Sequence, residues 1–239
     1  MSNSRRPAAV IENSILAALP RSDYRRILPS LKHVDLTLGE ILYENNAAIK
    51  HVYFPDRSVV SLIWGNRDKL SIEVGLVGSE GMVGICLISG VKSVPYSTVV
   101  RRADSAMRMD AGAFKAEFAR GGALQKLLLS YIHGLFVQVS RTAICNRIHP
   151  LQERFCRCLL MIQDRAKSCE LILTHEFIAN MLGARRSDVT IAAGILQRAG
   201  LIRYSRGHIT ILDRNGLEAA SCNCYQISKE EFNRIGLGW

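Results

Sequence analysis

The amino-acid sequence predicts an α+β fold with an N-terminal antiparallel β-roll of the double-stranded β-helix or jelly-roll type, a long helix and a C-terminal winged helix-turn-helix. Short β-rich runs, spaced about ten residues apart, fill residues 34–109. A proline-free helical pattern follows over residues 123–148, and a helix–glycine–helix pattern occupies residues 174–198. We therefore expect three domains: residues 1–120, the β-roll with N-terminal helices; residues 121–148, the long helix; and residues 149–239, the winged helix-turn-helix.

The charge of the chain limits the kinds of partner that it can have. Its 31 lysines and arginines against 21 acidic residues give a net charge of +10 and a pI near 9.5. This charge favours a polyanion, either nucleic acid or an anionic membrane surface. No apolar run reaches the roughly 18 residues of a membrane span, and Glu12 and Asn13 interrupt the apolar stretch that a signal peptide would need. We therefore expect a cytoplasmic protein.

The seven cysteines, an odd number in a chain of this length, do not resemble a disulfide framework. Two C-x-C pairs occur, Cys156 with Cys158 and Cys222 with Cys224. Structural zinc sites usually space their paired cysteines by about two to four residues, and positions two apart on a helix do not share a face. We expect reduced cysteines that fill the core, and no metal site. A redox switch through Cys145, Cys156 or Cys158 stays open.

The N-terminal part changes from helical to strand-like patterning. Residues 8–33 have helical spacing interrupted by Pro20 and Pro29, which predicts two short helices with a turn. The stretches VDLTLGEILY, HVYFP, SVVSLIW, LSIEVGLVG and STVVRRADSAMRM follow, with turns between them. Such runs favour an antiparallel sandwich or barrel. Asp110 is then a suitable N-cap for a helix that ends near the sequence RGG.

Residues 123–148 form one uninterrupted helical pattern with an apolar seam. Positions four and three residues apart recur along it, as they do at the a and d positions of a coiled coil. We expect this seam to pair two copies of the chain as a homodimer; the alternative is a helix that packs only on its own sheet. The predicted dimer residues are Leu124, Leu128, Tyr131, Leu135, Gln138 and Thr142.

The stretch LTHEFIANMLGARRSDVTIAAGILQRAGLI begins as a helix, stops at Gly183 and resumes at once. Thr174 is a good N-cap for the first helix, and Gly183 can adopt the positive φ of a sharp turn. We expect the second helix over residues 185–198. Two helices joined by a short glycine turn form a helix-turn-helix, whose second helix enters the major groove of DNA. Two β-like runs then flank residues 205–208, the expected tip of a wing.

The residue types around the second helix suit contact with DNA. Between Gly183 and Arg214 the sequence has six arginines against two aspartates. Arginine can bind guanine O6 and N7 together, serine and threonine can contact bases or phosphates, and a helix N-terminus attracts phosphate. An ordinary helical hairpin with a solvated arginine face is the alternative. The predicted DNA-binding residues are Thr174, His175, Arg185, Arg186, Ser187, Asp188, Thr190, Arg206 and His208.

A β-roll, a long helix and a winged helix with the motif LGARRSDVTIAAGILQRAGLI resemble the Crp/Fnr transcription regulators over nearly the whole chain. The recognition helix of that family commonly has a glycine, an arginine three positions later and a valine three positions after that. Gly183, Arg186 and Val189 match this pattern. The resemblance implies that Arg186 is the main base reader. It also implies a homodimer paired through the long helix, a palindromic site on double-stranded DNA and contact with RNA polymerase.

The β-roll departs from the cyclic-nucleotide-binding members that it resembles. Where those regulators have a glutamate for the ribose and an arginine for the cyclic phosphate, this sequence has Met82 and Tyr96. A cyclic phosphate would lack its charge-assisted partner, so cyclic AMP or GMP is not expected. An iron–sulfur cluster held near the N-terminus is not expected either, because the first cysteine is Cys86. The only cofactor left open is an unknown small-molecule effector, whose candidate ligands are Glu80, Tyr96, Arg101 and Arg102.

Two other functions stay open. The chain could be a ligand-binding regulatory module that controls a partner protein, or an effector-independent regulator whose β-roll is only a scaffold. The arginines of the second helix argue against the first, since such a module needs no base reader. We do not expect an enzyme, because Ser79, Glu80 and the scattered histidines give no nucleophile–base–orienter set.

Overall fold

A computed structural model describes residues 11–65 and 72–239 of the chain. Within these ranges a β-roll precedes a long helix and a winged helix-turn-helix, so the predicted fold class is confirmed. Residues 8–10 of the first predicted helix, and Leu70 and Ser71 of a predicted strand, lie outside the described residues.

Two short N-terminal helices are anchored by a buried asparagine. Asn13 accepts a hydrogen bond from the backbone N–H of Leu16 at 3.2 Å and so caps the first helix. Its amide donates to the carbonyls of Pro55 and Gly81 at 3.0 and 2.9 Å, which ties this helix to the β-roll. The helices span Ser14–Ala17 (α1) and Arg21–Ile27 (α2), followed by a 3-10 turn over Leu28–Ser30.

Within the described residues the β-roll has seven strands, over Leu31–Leu36 (β1), Ile41–Tyr43 (β2), His51–Pro55 (β3), Val59–Trp64 (β4), Ile72–Val77 (β5), Ser97–Arg102 (β6) and Asp104–Asp110 (β7), and a 3-10 turn over Ile85–Ser89. They form antiparallel sheets in the orders β1-β7-β3 and β2-β6-β4-β5. Alternate side chains of a strand face opposite sides. Phe54, Val60 and Val100 consequently lie in the core with no solvent exposure.

A short helix over Ala111–Ala119 (α3) leads into the long helix over Ala123–Ile148 (α4). Asp110 caps α3, as predicted. Its carboxylate accepts hydrogen bonds from the backbone N–H groups of Ala113 and Gly112, which hold its pKa below the usual range. With 26 residues, α4 is about 39 Å long, which is enough to run from the β-roll to the winged helix.

The predicted dimer seam of α4 packs inside this chain. Four of its residues are at most 1 % exposed and two are half-buried: Leu124, Leu128, Tyr131 and Gln138, then Leu135 and Thr142. The Gln138 amide donates to the carbonyl of Leu76 at 3.0 Å, and the Tyr131 ring lies 6.4 Å from that of Phe232. This side of α4 is therefore a core face rather than a dimer face, which corrects the prediction. Heptad spacing indicates an apolar stripe, but it does not distinguish burial against the same chain from burial against a partner chain.

By length and composition alone, α4 could also span a membrane. Its packing indicates otherwise. Gln138 lies in the middle of the buried face and accepts a hydrogen bond from Arg165 at 2.6 Å, and Lys126, His133 and Arg147 are exposed on other sides. The helix is thus a packing element of the folded chain.

The winged helix-turn-helix comprises helices Leu151–Ala166 (α5), His175–Leu182 (α6) and Arg186–Arg198 (α7) and strands Glu170–Ile172 (β8), Ile202–Ser205 (β9) and His208–Ile211 (β10). The strands form one antiparallel sheet in the order β8-β10-β9. Phe155, Ile178, Val189 and Leu196 belong to a second apolar core, which is largely separate from that of the β-roll. These contacts leave the outer face of α7 exposed.

The segment after the wing forms two helices, Arg214–Ala219 (α8) and Cys224–Arg234 (α9), and returns to α4. At Gly134 of α4 an added Cβ would come within 3.0 Å of the Phe232 ring, so the glycine permits close packing of α9. The Trp239 ring lies 4.0 Å from the guanidinium carbon of Arg165. This segment ties the winged helix back to the β-roll, since Phe232 and Leu237 belong to the core of the β-roll.

Candidate nucleic-acid interface

The turn between α6 and α7 has the geometry that its sequence predicts. Thr174 accepts a hydrogen bond from the backbone N–H of Phe177 at 3.1 Å and caps α6. Gly183 has a φ of +58°, in the left-handed region that favours glycine. The second helix begins at Arg186, with Arg185 as its N-cap. The turn leaves the start of α7 exposed.

The start of α7 presents polar and cationic side chains to solvent. Arg185, Arg186, Ser187 and Thr190 are all exposed, and within the described residues neither arginine has an acidic partner. The Ser187 hydroxyl donates to the Asp188 carboxylate at 3.3 Å. The backbone N–H groups of the first turn add positive potential at the same end. This surface can bind an anion or hydrogen-bond a base edge.

A hydrogen-bonded chain fixes Thr190 on this surface. Its hydroxyl donates to the carbonyl of Arg186 at 3.0 Å and lies 2.9 Å from Nδ1 of His175. The hydroxyl proton is already used, so His175 donates through Nδ1–H and Nε2 is an acceptor. The imidazole stacks on Tyr204, with ring centroids 4.1 Å apart. Burial, and then the charge of Arg186, lower the pKa of His175, so the ring is neutral at pH 7.

The wing completes a surface groove of about 370 Å³ next to α7. Arg206 and Gly207 have φ of +48° and +84°, a two-residue hairpin turn of the kind that twisted strands favour. Thr174, His175, Arg186 and Arg206 line this groove, so the structure brings four of the predicted residues together.

His208 departs from the predicted site. It lines a different groove, of about 470 Å³, between the wing sheet and the β6–β7 corner of the β-roll. Gly207 belongs to the hairpin turn and lines the groove beside α7, whereas His208 begins β10 and lines the other groove. The sequence placed both at the wing tip and could not tell these grooves apart.

Ile191 is a candidate that the sequence reasoning missed. It is 62 % exposed on α7, on the face away from the buried Val189, Ala192 and Leu196. An apolar side chain in an amphipathic helix is normally assigned to the core. Helical periodicity could have indicated this exposure, because Ile191 directly follows the exposed Thr190 and lies four residues before the half-buried Ile195. An exposed aliphatic side chain here suits the methyl group of thymine.

The four predicted effector ligands do not form one site. Glu80 has no solvent exposure and pairs with Arg165 at 2.8 Å, so its charge is already used. Tyr96 lies beside Trp64, with ring centroids 6.3 Å apart, and its burial raises its pKa to about 12. Arg102 donates to the carbonyl of Arg57 at 2.8 Å. These contacts point in different directions, which corrects the predicted set.

Arg101, the fourth predicted ligand, links the β-roll to the helix-turn-helix. Its guanidinium lies 4.1 Å from the ring centroid of Phe177 in α6 and donates to Ser61 at 3.3 Å. Burial lowers the pKa of Arg101, and the charge of Glu73 opposes that shift. Arg101 is thus an interdomain contact rather than part of an effector cradle.

The space between β5, α4 and α5 is small and contains a titratable carboxyl. A cavity of about 20 Å³ is lined by Glu73, Gln138, Arg157 and other residues. That volume suits a water molecule and is far below that of a nucleotide. Glu73 accepts a short hydrogen bond from Ser61. Burial raises the pKa of Glu73 to about 7, against the opposing effects of that hydrogen bond and of nearby arginines.

Four residues that the sequence treated separately could hold a metal. The ligand atoms of Cys145, His149, Cys222 and Cys224 all lie within 4.8 Å of one another. A hydrogen bond with the Cys145 thiol lowers the pKa of Cys222 to about 6 and raises that of Cys145. The signal in the sequence was a C-x-x-x-H pattern at the end of α4, which places both side chains on one helix face. It was missed because only the C-x-C spacing was considered.

A family model matches part of this sequence, and solved structures match its fold. Residues 153–220 match the family model of the Crp-like helix-turn-helix domain. A Crp/Fnr-family transcriptional regulator of Eubacterium rectale shares 20% identity and a TM-score of 0.66, over 86% of this chain and 96% of that chain. A Crp/Fnr-family regulator of Thermus thermophilus shares 21% identity and a TM-score of 0.66, over 80% and 98%. No curated protein matches the sequence.

FixK2 of Bradyrhizobium japonicum is a further structural match, at 14% identity and a TM-score of 0.67, over 80% of this chain and 98% of that chain. The predicted resemblance to the Crp/Fnr regulators is confirmed in the fold and in the helix-turn-helix domain. The Eubacterium rectale and Thermus thermophilus proteins are described as transcriptional regulators of the Crp/Fnr family.

Proposed function

Because the winged helix is a Crp-like helix-turn-helix domain in a chain with the Crp/Fnr fold, we propose that the protein is a homodimeric, sequence-specific transcription regulator of the Crp/Fnr type. One observation carries the proposal. The N-terminal half of α7 presents Arg186, Ser187 and Thr190 to solvent, and the fold pairs neither Arg185 nor Arg186 with an acid among the described residues. In a chain of net charge +10, such a surface favours DNA.

Each exposed side chain of α7 has a proposed role in the major groove. Arg186 binds guanine O6 and N7, and the Thr190 hydroxyl, oriented by His175, contacts an adjacent base or phosphate. Ile191 packs against a thymine methyl group. Asp188 accepts from a cytosine amino group while holding Ser187. Base contacts of this kind specify the sequence to which the protein binds.

Contacts around α7 position the protein on the backbone. Arg185, at the N-cap of α7, and Arg206, at the wing tip, are exposed cations, and Arg206 lines the groove beside α7. Thr174, which begins α6, is placed to contact a phosphate in the same way. Such contacts fix the register of the helix and contribute to affinity on every sequence. His208 lies outside this set.

The homodimer forms through the face of α4 that this chain leaves open. Leu129 and Phe136 are 52 % and 69 % exposed, and Ile132 and Val139 are half-buried on the same side as exposed Ala143. These positions alternate by three and four residues, as the a and d positions of a coiled coil do. A second copy of α4 would cover them in a two-fold symmetric contact. Exposed apolar side chains arranged in a stripe support such an interface.

DNA binding is proposed to need no added effector. The Glu80 carboxylate is paired with Arg165, and the cavity beside Glu73 has room for about one water molecule. Arg101 is stacked on Phe177 of the helix-turn-helix. With its charged groups engaged internally, the β-roll acts as a scaffold. The exposed arginines of α7 favour this reading over a module that regulates a partner protein.

The resemblance to the Crp/Fnr regulators also implies partners and a location in the cell. A dimer of this type reads a palindromic site on double-stranded DNA and contacts RNA polymerase, and it works in the cytoplasm. Support comes from the Crp-like domain and from the α4 stripe, since a two-fold protein requires a two-fold site. Transcription by purified polymerase from a template with the site, with and without the protein, tests the contact.

The experiment that tests the function is a selection of bound duplexes from a random DNA pool, at fixed moderate salt, with purified full-length protein and no ligand. We expect a palindrome whose half-sites lie about one helical turn apart. Recovery of a site only after cell extract is added would keep the regulator and contradict effector independence. Recovery of no site under either condition would contradict the function.

A further inference from the structure

Two distant segments meet at the end of α4. Cys145 lies in the last turn of that helix and His149 is its C-cap, while Cys222 and Cys224 flank the start of α9. The sulfurs of Cys145 and Cys222 are 3.4 Å apart, and that of Cys224 lies 3.7 Å from Nδ1 of His149. All four ligand atoms lie within 4.8 Å of one another. Three sulfurs and one imidazole nitrogen therefore enclose a single point.

Ordinary core packing does not account for this arrangement. Cys145, Cys222 and Cys224 are at most 5 % exposed and form a cluster of their own, apart from the two apolar cores. A disulfide needs sulfurs about 2.05 Å apart, and all three cysteines are free thiols. Cysteines that served only as small apolar residues would be expected to merge with the neighbouring cores.

A buried arginine lies near this cluster. Arg157 is 5 % exposed and donates to the Thr142 hydroxyl of α4, one turn before Cys145, at 3.3 Å. Its Nε has no acceptor within the described part of the chain, so this buried cation is only partly satisfied. A cation beside ligand sulfurs is an outer contact of the kind that metal–thiolate sites use.

We propose that Cys145, His149, Cys222 and Cys224 bind one zinc ion in a tetrahedral Cys₃His site. Zinc–sulfur bonds of about 2.3 Å in a tetrahedron separate two sulfurs by about 3.8 Å. The Cys145 and Cys222 sulfurs, 3.4 Å apart, are slightly closer than that, and no two of the four ligand atoms are more than 4.8 Å apart. Three thiolates and an imidazole are typical of a structural zinc site, whereas magnesium and calcium prefer oxygen.

The charges of the site balance. On binding, the three thiols release their protons to solvent and His149 coordinates as the neutral ring through Nδ1. Three thiolates and Zn²⁺ leave a net charge of −1, which the guanidinium of Arg157 offsets. No electron is transferred, and no ligand position is left for a substrate. The site is structural.

The proposed zinc site lies where the winged helix-turn-helix joins the rest of the chain. Residues 150–221, which include the whole winged helix-turn-helix, leave α4 beside His149 and return at Cys222. The zinc ion would pin the entry and the exit of this region to the end of α4. It would thus fix the direction of the recognition helix relative to the long helix. Closing this loop has an entropic cost, but no additional surface needs to be buried.

Elemental analysis of the full-length protein, purified under reducing conditions without chelator, tests the site. We expect one zinc per chain, and loss of that zinc in Cys224→Ser and in His149→Ala. Cys169→Ser is the matched control, since Cys169 is an exposed cysteine of the same domain outside the cluster. This variant should retain one zinc per chain.

A second measurement keeps the test valid if those variants fail to fold. His149→Cys preserves four ligands, so this variant should still bind one ion. With Co²⁺ as probe, the wild type should show the visible bands of a tetrahedral ion, and His149→Cys should show stronger thiolate-to-cobalt absorption.

Three results would overturn the site: no zinc in the purified protein together with no uptake of Co²⁺, equal zinc loss in Cys169→Ser and Cys224→Ser, or a disulfide between Cys145 and Cys222 in protein isolated from cells. Metal content is measured without DNA. Failure of DNA binding with zinc in place would therefore count against the proposed function alone, and the absence of zinc in a DNA-binding protein would count against this site alone.

Discussion

Arg165 of α5 and Arg186 of α7 belong to the same domain and meet opposite conditions. Arg165 has no solvent exposure; it pairs with Glu80 at 2.8 Å, donates to Gln138 at 2.6 Å and lies against Trp239. Arg186 is exposed and forms no ion pair with any described residue, although Glu176 lines the same groove. An arginine is available to DNA only where the fold leaves it without a partner. Residue type alone does not separate these roles.

The same comparison explains how the domains are joined. Arg165 lies in the winged helix, Glu80 in the β-roll and Gln138 in α4, so three parts of the chain meet at one guanidinium. At Gly78 an added Cβ would come within 2.6 Å of Cγ of Arg165, so the β-roll admits this side chain only beside a glycine. A buried charge of this kind is held in place by its partners, because leaving it unpaired is costly.

The largest effect is expected from breaking the buried pair. Arg165→Met leaves the Glu80 carboxylate buried without its cation and should lower the free energy of unfolding by about 3–5 kcal/mol. Urea unfolding at pH 7 measures this change in the free energy of unfolding. Adding Glu80→Gln to the same chain should recover part of the loss, since the unpaired charge is removed. A single variant as stable as the wild type would show that the pair does not join the domains.

The exposed stripe of α4 is tested by a charge. Phe136→Glu should prevent dimer formation without unfolding the chain, because burial of one phenylalanine contributes about 1.5–3 kcal/mol and a two-fold interface contains two. Light scattering gives the mass, and urea unfolding reports the fold. Leu128→Glu is the matched control: it places the charge in the core face and should unfold the chain. A Phe136→Glu dimer as stable as the wild-type dimer would assign the interface elsewhere.

Glu73 gives the buried region a pH dependence. Its pKa of about 7 lies above the ordinary 4.5, so the folded chain binds more protons than the unfolded chain between these values. Its contribution to stability is therefore full below about pH 4.5 and falls as pH rises to 7, by about 3 kcal/mol at most. In Glu73→Gln the free energy of unfolding should depend less on pH across this interval than it does in the wild type. An unchanged slope would contradict the raised pKa.

The exposed arginine should affect DNA binding and leave the fold unchanged. Arg186→Ala is expected to lose about 1–3 kcal/mol of affinity for the selected site, with much less effect on a scrambled duplex. Fluorescence anisotropy at matched salt measures both duplexes. Arg120→Ala, an exposed arginine at the end of α3, is the control and should bind both as the wild type does. Equal losses on both duplexes would make Arg186 a phosphate contact.

The smallest effect is expected at Ile191. Ile191→Ala should lose about 1 kcal/mol on the selected site, because it removes a methyl contact with thymine. The control is in the DNA: replacing the contacted thymine by deoxyuridine removes the same methyl group, so the wild type should then bind no better than the variant. An effect that persists on the deoxyuridine duplex would assign Ile191 to folding.

Local patterns were sufficient to predict the helix-turn-helix. The Thr174 cap and the Gly183 turn depend on residues close in sequence, and both are found as predicted. The position of Arg186 on the exposed face follows from the same helical periodicity. A helix-turn-helix built within thirty residues can thus be predicted from a single sequence.

What could not be predicted depends on contacts between distant segments. The face of α4 that meets α9 and the β-roll is fixed by the tail, so the apolar seam at Leu128 was assigned to a partner chain. Glu80 was taken for an effector ligand because Arg165 is 85 positions away in sequence. The cysteine cluster joins Cys145 to Cys222, 77 positions apart. No periodicity relates such residues.

The most direct test of the central claim is methylation protection of guanine N7, which lies in the major groove, on the selected site. With the wild type we predict protected guanines in both half-sites, and with Arg186→Ala the loss of protection at one guanine in each half-site at saturating protein. Unchanged protection in the variant would contradict the claim that the unpaired arginine of α7 reads the base.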